Sequence, residues 1–133
     1  MAEKDMMKRM QDMLDESGFI KYLNIELTEL EDERAKGRMP FDDRYGNPGG
    51  TMHGGCLYSM ADTIAGTLAE SKGTDVVTVE GSLSFLQAAE DTQYVTCEAE
   101  LERCGKSLIT VSVRIRDDRE RLLDSGRFTY FRI

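Results

Sequence analysis

The chain has 133 residues, 25 acidic against 17 basic side chains and a formal net charge of −8, which suits one folded unit over 1–133 with a single core and argues against nucleic acid as a partner, because phosphate binding needs clustered Lys and Arg. No apolar run of about 18 residues is present to span a bilayer, and the polar start lacks the core of a signal peptide, so a cytoplasmic protein with no membrane partner is expected. Cys56, Cys97 and Cys104 form no Cys-x-x-Cys pair and fit free thiols; with one histidine in the chain, a zinc site lacks its usual ligands and no metal is expected.

In chain order, Met6, Met10, Met13 and Leu14 recur at helical spacing over residues 4–16, and Ser17-Gly18 ends the pattern as a C-terminal cap. This helical extension, within 1–17, reads as an amphipathic cover on the core rather than a ligand-binding element. Residues 25–32 and 34–41 read as strands, and 42–50 as a polar connection rich in Gly and containing Pro. A long helix over 54–72 follows, with Leu57, Ala61, Ile64 and Leu68 on one stripe. Four strands come after it, over 75–86, 92–103, 107–116 and 121–132. In the first, Val77, Val79, Gly81, Leu83 and Phe85 alternate with Thr78, Glu80, Ser82 and Ser84 at a period of two. The turns between them carry Gly105-Lys106 and Asp117-Asp118. This order predicts an α+β architecture, an antiparallel sheet with one long central helix packed on it and a short N-terminal helix.

Residues 47–62 hold the chemistry. His53 is surrounded by Gly49, Gly50, Gly54 and Gly55, which let the backbone approach a ligand and present bare N–H groups. Asp62 is a carboxylate inside an apolar helical pattern, on a stripe of small residues with Ser59, Ala65, Gly66 and Ala69. Nine residues of helix are about 2.5 turns and ~13 Å, so His53 and Asp62 face opposite ways within one chain. Either one of them works alone, or two copies of the chain build each site; we favour the second, which makes a dimer a requirement.

Asn47, Gly50, His53-Gly54-Gly55 and Asp62, at a loop-to-helix junction and with this element order, resemble the hot-dog-fold acyl-CoA thioesterases, specifically the phenylacetyl-CoA thioesterase (PaaI-like) branch of the 4HBT superfamily. The resemblance covers nearly the whole chain. It implies a sheet wrapped around the central helix, a homodimer that pairs into a tetramer, and sites shared between two subunits. It also implies hydrolysis of an aryl- or medium-chain acyl-CoA, with CoA as part of the substrate and no cofactor. Asp62 would act as general base or nucleophile, the Gly54 N–H of the other subunit as oxyanion donor, and His53 as the group that positions the thioester or departing thiol. Asn47 would orient water or the Asp62 carboxylate, and Thr78, placed by similarity, would bond the water. Gly105, Lys106 and Ser107 are the candidates for the CoA phosphates, assisted by Arg103 or Arg132.

Three other readings compete. Cys56 near the helix start with His53 would make a Cys/His nucleophile pair. The same fold serves hydratases and dehydratases of acyl thioesters, and non-catalytic acyl-CoA sensors. Met39, Phe41, Tyr45, Tyr58 and Met60 are candidates to line an acyl pocket, each also an ordinary core residue.

Overall fold

The computed structural model describes residues 3–133. Helix α1 (Glu3–Asp15) buries Met10 and Leu14, one turn apart on its inner face, and Gln11 Oε1 accepts the Leu27 N–H at 2.7 Å. That bond ties α1 to strand β1 (Glu26–Leu30). Ser17 closes α1 as expected, its N–H donating to the Leu14 carbonyl at 3.0 Å, and it has a second role. Its hydroxyl accepts the Ile20 N–H at 3.3 Å and starts a second helix, α2 (Gly18–Leu23). At six residues α2 is too short for hydrophobic periodicity to reveal, and the N-cap serine is its main signal. It stops at Asn24, which takes the left-handed conformation (φ 57°) and donates its N–H to the Ile20 and Lys21 carbonyls, as such a cap does.

Strands β1, β2 (Arg34–Pro40), β3 (Val76–Phe85), β4 (Tyr94–Cys104), β5 (Leu108–Asp117) and β6 (Leu122–Arg132) form one sheet in the order β1-β2-β4-β5-β6-β3. Every neighbouring pair is antiparallel. Helix α3 (Gly54–Glu70) connects β2 to β3, and β3 adds beyond β6 at the far edge. The sheet therefore curls round the helix, which packs on β2, β3, β4, β5 and β6. Leu57, Met60, Ala61, Ile64, Ala65 and Leu68 of α3 are all buried against it. A Cβ on Gly37 of β2 would collide with Ile64 Cδ1, so that strand needs glycine to lie this close. The hot-dog arrangement is the one expected, and among the described residues no helix is long and apolar enough to cross a membrane.

Strand β3 departs from the even alternation its sequence suggests. Thr78 pairs with Tyr130 of β6, but Glu80 pairs with Thr129, so Val79 is an extra residue and the register shifts. A bulge of this kind reverses which side chains face inward. Val77 and Val79 consequently point away from α3 and are about half exposed, at 49% and 57%, while Thr78 before the bulge and Gly81 after it face the helix. The outer edge of β3 has no strand beside it.

Asp124 of β6 is completely buried, and neither of its carboxylate oxygens has a hydrogen-bond partner. Burial pushes its carboxyl up to about 7. The folded protein thus holds this proton more tightly than the unfolded chain, and the stabilisation present at acid pH is lost as pH rises from the ordinary carboxyl range, near ~4, to about 7. Asp124→Asn should flatten that dependence. Thermal melts at pH 5 and pH 8 check it: the wild type should melt several degrees lower at pH 8, at roughly 3–5 °C per kcal/mol, and the variant should show a clearly smaller difference. Equal differences in the two proteins would contradict the assignment.

Candidate active site

The loop before α3 is built around Asn47. Its N–H donates to the Thr51 carbonyl at 2.7 Å, and its carbonyl accepts the Gly50 N–H at 3.0 Å. Its side-chain Nδ2 reaches Thr51 Oγ1 at 3.1 Å and the Met52 carbonyl at 3.5 Å. Gly50 turns the chain with φ +84°. The His53 N–H then donates to the Tyr45 carbonyl at 2.6 Å, which fixes where the helix begins. Asn47 is thus a clamp on the loop within its own subunit, with Oδ1 as the atom left for other work.

His53 is the N-cap of α3, and its Nδ1 accepts the Gly55 N–H at 2.8 Å. An accepting Nδ1 carries no proton, so this contact selects the neutral tautomer with the proton on Nε2. The exposed ring offers that Nε2–H outward. The His53 carbonyl takes the Cys56 and Leu57 N–H groups at 3.0 and 3.4 Å. The first turn of a helix leaves N–H groups without partners, and here the Gly54 N–H is the one that no described residue accepts. The Phe85 ring packs beside this residue, 3.1 Å from where a Cβ on Gly54 would stand. A bare donor at the positive end of the helix dipole is a ready anion site.

Asp62 sits nine residues further on. Its Oδ1 accepts the Tyr130 hydroxyl at 2.8 Å and the Thr78 hydroxyl at 3.0 Å. Thr78 and Tyr130 face each other across β3 and β6, so the register brings both hydroxyls to one oxygen. Tyr130 also lies 3.0 Å from the Asp62 carbonyl. Burial first, and then the Asp62 charge, push the Tyr130 hydroxyl far above its ordinary range, so it remains a donor at any working pH. Oδ2 of Asp62 receives no donor from the described residues. Thr78 therefore holds the carboxylate, where the sequence pointed to it holding water. Tyr130 was not singled out from the sequence; its one signal is a phenol on an inward-facing strand position beside Phe128, and only the β3–β6 pairing reveals its partner.

Within one subunit the two halves do not meet. His53 and Gly54 are at the N-terminus of α3, Asp62 is ~13 Å along it, and no described hydrogen bond joins them.

Asp62 stands at one end of a trough of about 290 Å³ whose floor is the α3 face of Thr63, Gly66, Thr67 and Glu70, with Met10, Met13, Leu14 and Ile20 as the opposite wall. Ala65 and Ala69, expected beside Asp62, are buried in the core instead. None of the five residues considered for an acyl pocket lines this trough. Met39, Tyr45 and Met60 are 0–1% exposed core residues, and Phe41 and Tyr58 pack on that core. The periodicity of the sequence separates apolar from polar faces, but not core from cavity wall.

At the β4–β5 turn the Gly105 N–H is engaged by the Leu108 carbonyl at 2.9 Å, so it is not free for an anion. Lys106 and Ser107 are exposed. Arg132 is anchored beside them through the Gly105 carbonyl at 3.0 Å and Cys104 Sγ at 2.8 Å. The turn offers cations and a hydroxyl more than backbone donors.

Cys56 is half-buried, and burial raises its thiol above the ordinary range. A thiol is a nucleophile as thiolate, so this environment disfavours the Cys/His pair.

Comparison with known proteins bears on the family and the fold. Residues 49–123 match the family model described as the thioesterase superfamily. Over 77 residues, 56% of each chain, the sequence is 36% identical to the proofreading thioesterase EntH of Cronobacter turicensis. In structure it is similar to the E. coli PaaI protein from the phenylacetic acid degradation operon, with TM-score 0.92 and 21% identity over 98% of this chain and 95% of that one. It is also similar to smu.793 of Streptococcus mutans, solved bound to acetyl-CoA, with TM-score 0.79 and 22% identity over 83% and 89% of the two chains.

Alkylation by iodoacetamide at pH 7.5, followed by mass spectrometry, should modify exposed Cys104 first, Cys56 slowly and fully buried Cys97 only after denaturation. Modification of Cys56 ahead of Cys104 would contradict the environment described for it.

Proposed function

The chain belongs to the thioesterase superfamily, a family of thioester hydrolases, and from that premise we propose that it hydrolyses an acyl-CoA thioester at a site built by two copies of the chain. The observation that carries the proposal is a pair of complementary open groups: among the described residues, an oxygen of Asp62 that receives no donor at one place on α3, and a Gly54 N–H that finds no acceptor at another. Each is what the other half of a hydrolytic site needs. They are too far apart to serve one substrate within one subunit.

Asp62 Oδ2 of one subunit takes a proton from water as the water oxygen bonds to the thioester carbonyl carbon. The carbonyl electrons move to oxygen, and the Gly54 N–H of the other subunit, aided by the helix dipole, stabilises that oxyanion. The oxyanion electrons then re-form the C=O bond as the C–S bond breaks, and the proton that Asp62 took from water passes to the departing CoA thiolate, which restores the carboxylate. The Nε2–H of His53 points away from its own helix cap and is available to hold the thioester or the departing sulfur. Thr78 and Tyr130 keep the carboxylate aimed by occupying Oδ1. No metal or other cofactor has a step in this chemistry.

Support for pairing comes from β3. Its free edge carries half-exposed Val77 and Val79, and Phe85 and Leu86 are exposed at its end. An unpaired, apolar edge strand is a template for another strand, and a second copy of β3 joined to it in an isologous contact would give a closed dimer. For the CoA part of the substrate, the reading places Lys106, Ser107 and the anchored Arg132 near the phosphates. The acetyl-CoA found in the S. mutans protein supports CoA as the carrier.

Asp62→Asn keeps shape and both hydroxyl contacts but removes the base. We expect it to lower kcat by ~10²–10⁴, with an unchanged circular dichroism spectrum and sedimentation profile. Free-thiol release from acyl-CoA checks this; a variant with wild-type turnover would remove Asp62 from the mechanism.

A further inference from the structure

The trough beside Asp62 has a pattern that the hydrolytic reading does not use. Along α3 its floor runs from Asp62 through Thr63, Gly66 and Thr67 to Glu70, about 12 Å at 1.5 Å per residue. The two threonines turn their hydroxyls back to the helix, donating to the Ser59 and Thr63 carbonyls at 2.7 Å, so what they offer the trough is methyl groups. Gly66 offers no side chain. The opposite wall is Met10, Met13, Leu14 and Ile20, and flexible, polarizable methionines fit their surface to varied apolar shapes. The middle of the trough is therefore apolar and its two ends are carboxyl groups.

Glu70 stands at the far end, where this trough adjoins a neighbouring one that also includes Arg9, Asp75 and Ile133. It is half-buried, and burial, with the Asp75 charge added and no hydrogen bond among the causes, raises its carboxyl above its ordinary range. A half-buried carboxyl at the end of an apolar channel is an acceptor for a donor that a ligand brings. At about 290 Å³ the trough is at the low end of small-molecule sites, ~300–1,000 Å³, and too small for a long acyl chain.

We propose that this trough binds the acyl tail, that α1 supplies its wall, and that Glu70 selects acyl groups of medium length that carry a hydroxyl at the far end. The inference rests on the thioesterase reading, since the thioester must lie at Asp62 for its tail to lie here. It gives the N-terminal methionines a role in substrate binding, in place of the purely structural one their helical spacing suggested.

The test compares kcat/KM for acetyl-, octanoyl- and ω-hydroxyoctanoyl-CoA in the wild type, Glu70→Leu and Met13→Trp; Met13 is 39% exposed, so a larger side chain can be placed there without disturbing the core. The wild type should prefer the ω-hydroxy substrate over octanoyl-CoA about tenfold, in line with one hydrogen bond to a carboxylate. Glu70→Leu should reverse that order. Met13→Trp should lower the octanoyl-to-acetyl ratio about tenfold. Because each readout is a ratio within one protein, a general loss of folding does not imitate it. Ratios that stay at their wild-type values would overturn the inference and leave the hydrolytic function standing. A wild type that cleaves none of the three thioesters would overturn both.

Discussion

Two hydroxyl protons directed at one oxygen of Asp62 set most of what is distinctive in this chain. Thr78 and Tyr130 converge because β3 lies antiparallel to β6 with these residues opposed, and because β3 bulges at Val79 immediately afterwards. Without the extra residue, Thr78 and Gly81 could not both face α3. Gly81 has to, since any side chain there would run into Tyr58 and Phe128. The bulge reconciles a hydroxyl needed at the site with a close approach of strand and helix three residues later. Charge-assisted hydrogen bonds of this kind are about twice as strong as neutral ones, and here they fix one carboxylate oxygen while leaving its twin open.

The single chain is unfinished in a consistent direction. Its unpaired groups are a carboxylate oxygen, a helix N-terminal N–H and the edge of β3 with its exposed valines. Each is a cost for an isolated subunit; a second β3 laid along the first would relieve the strand edge, while the carboxylate oxygen and the N–H stay open to water and substrate. Phe85 joins two of these features: it stands at the end of β3, and its ring packs beside Gly54, so the strand end and the start of α3 are in physical contact. Asp124 is different in kind, a carboxyl buried inside the subunit, and its cost appears as pH-dependent stability.

The large pattern was open to reading in the sequence because strong, simple signals carried it. The period of two in β5 and the helical stripe of α3 each span many residues, and the glycines around His53 mark a backbone requirement as much as a chemical one. What escaped was set by single residues or by pairing. Ser17 ends one helix, as its position beside glycine suggested, and also starts another, which that position did not reveal. The even alternation of β3 hid its bulge, because Val79 is as good a strand residue out of register as in it. Tyr130 could not be found without knowing that β6 lies between β5 and β3. Met10 and Met13 have the same helical spacing whether they cover a core or line a trough.

The most direct measurement of the shared site mixes two inactive proteins. One carries Asp62→Asn. The other carries Gly54→Pro with Phe85→Leu, which removes the N–H, opens room for the ring and suits a first helical position preceded by the extended His53, φ −63° and ψ 133°. Unfolded and refolded together in equal amounts, half of the resulting dimers would contain one intact site of two, so activity should return to about a quarter of the wild-type level. A mixture that stays as inactive as its components would contradict a site made from two subunits.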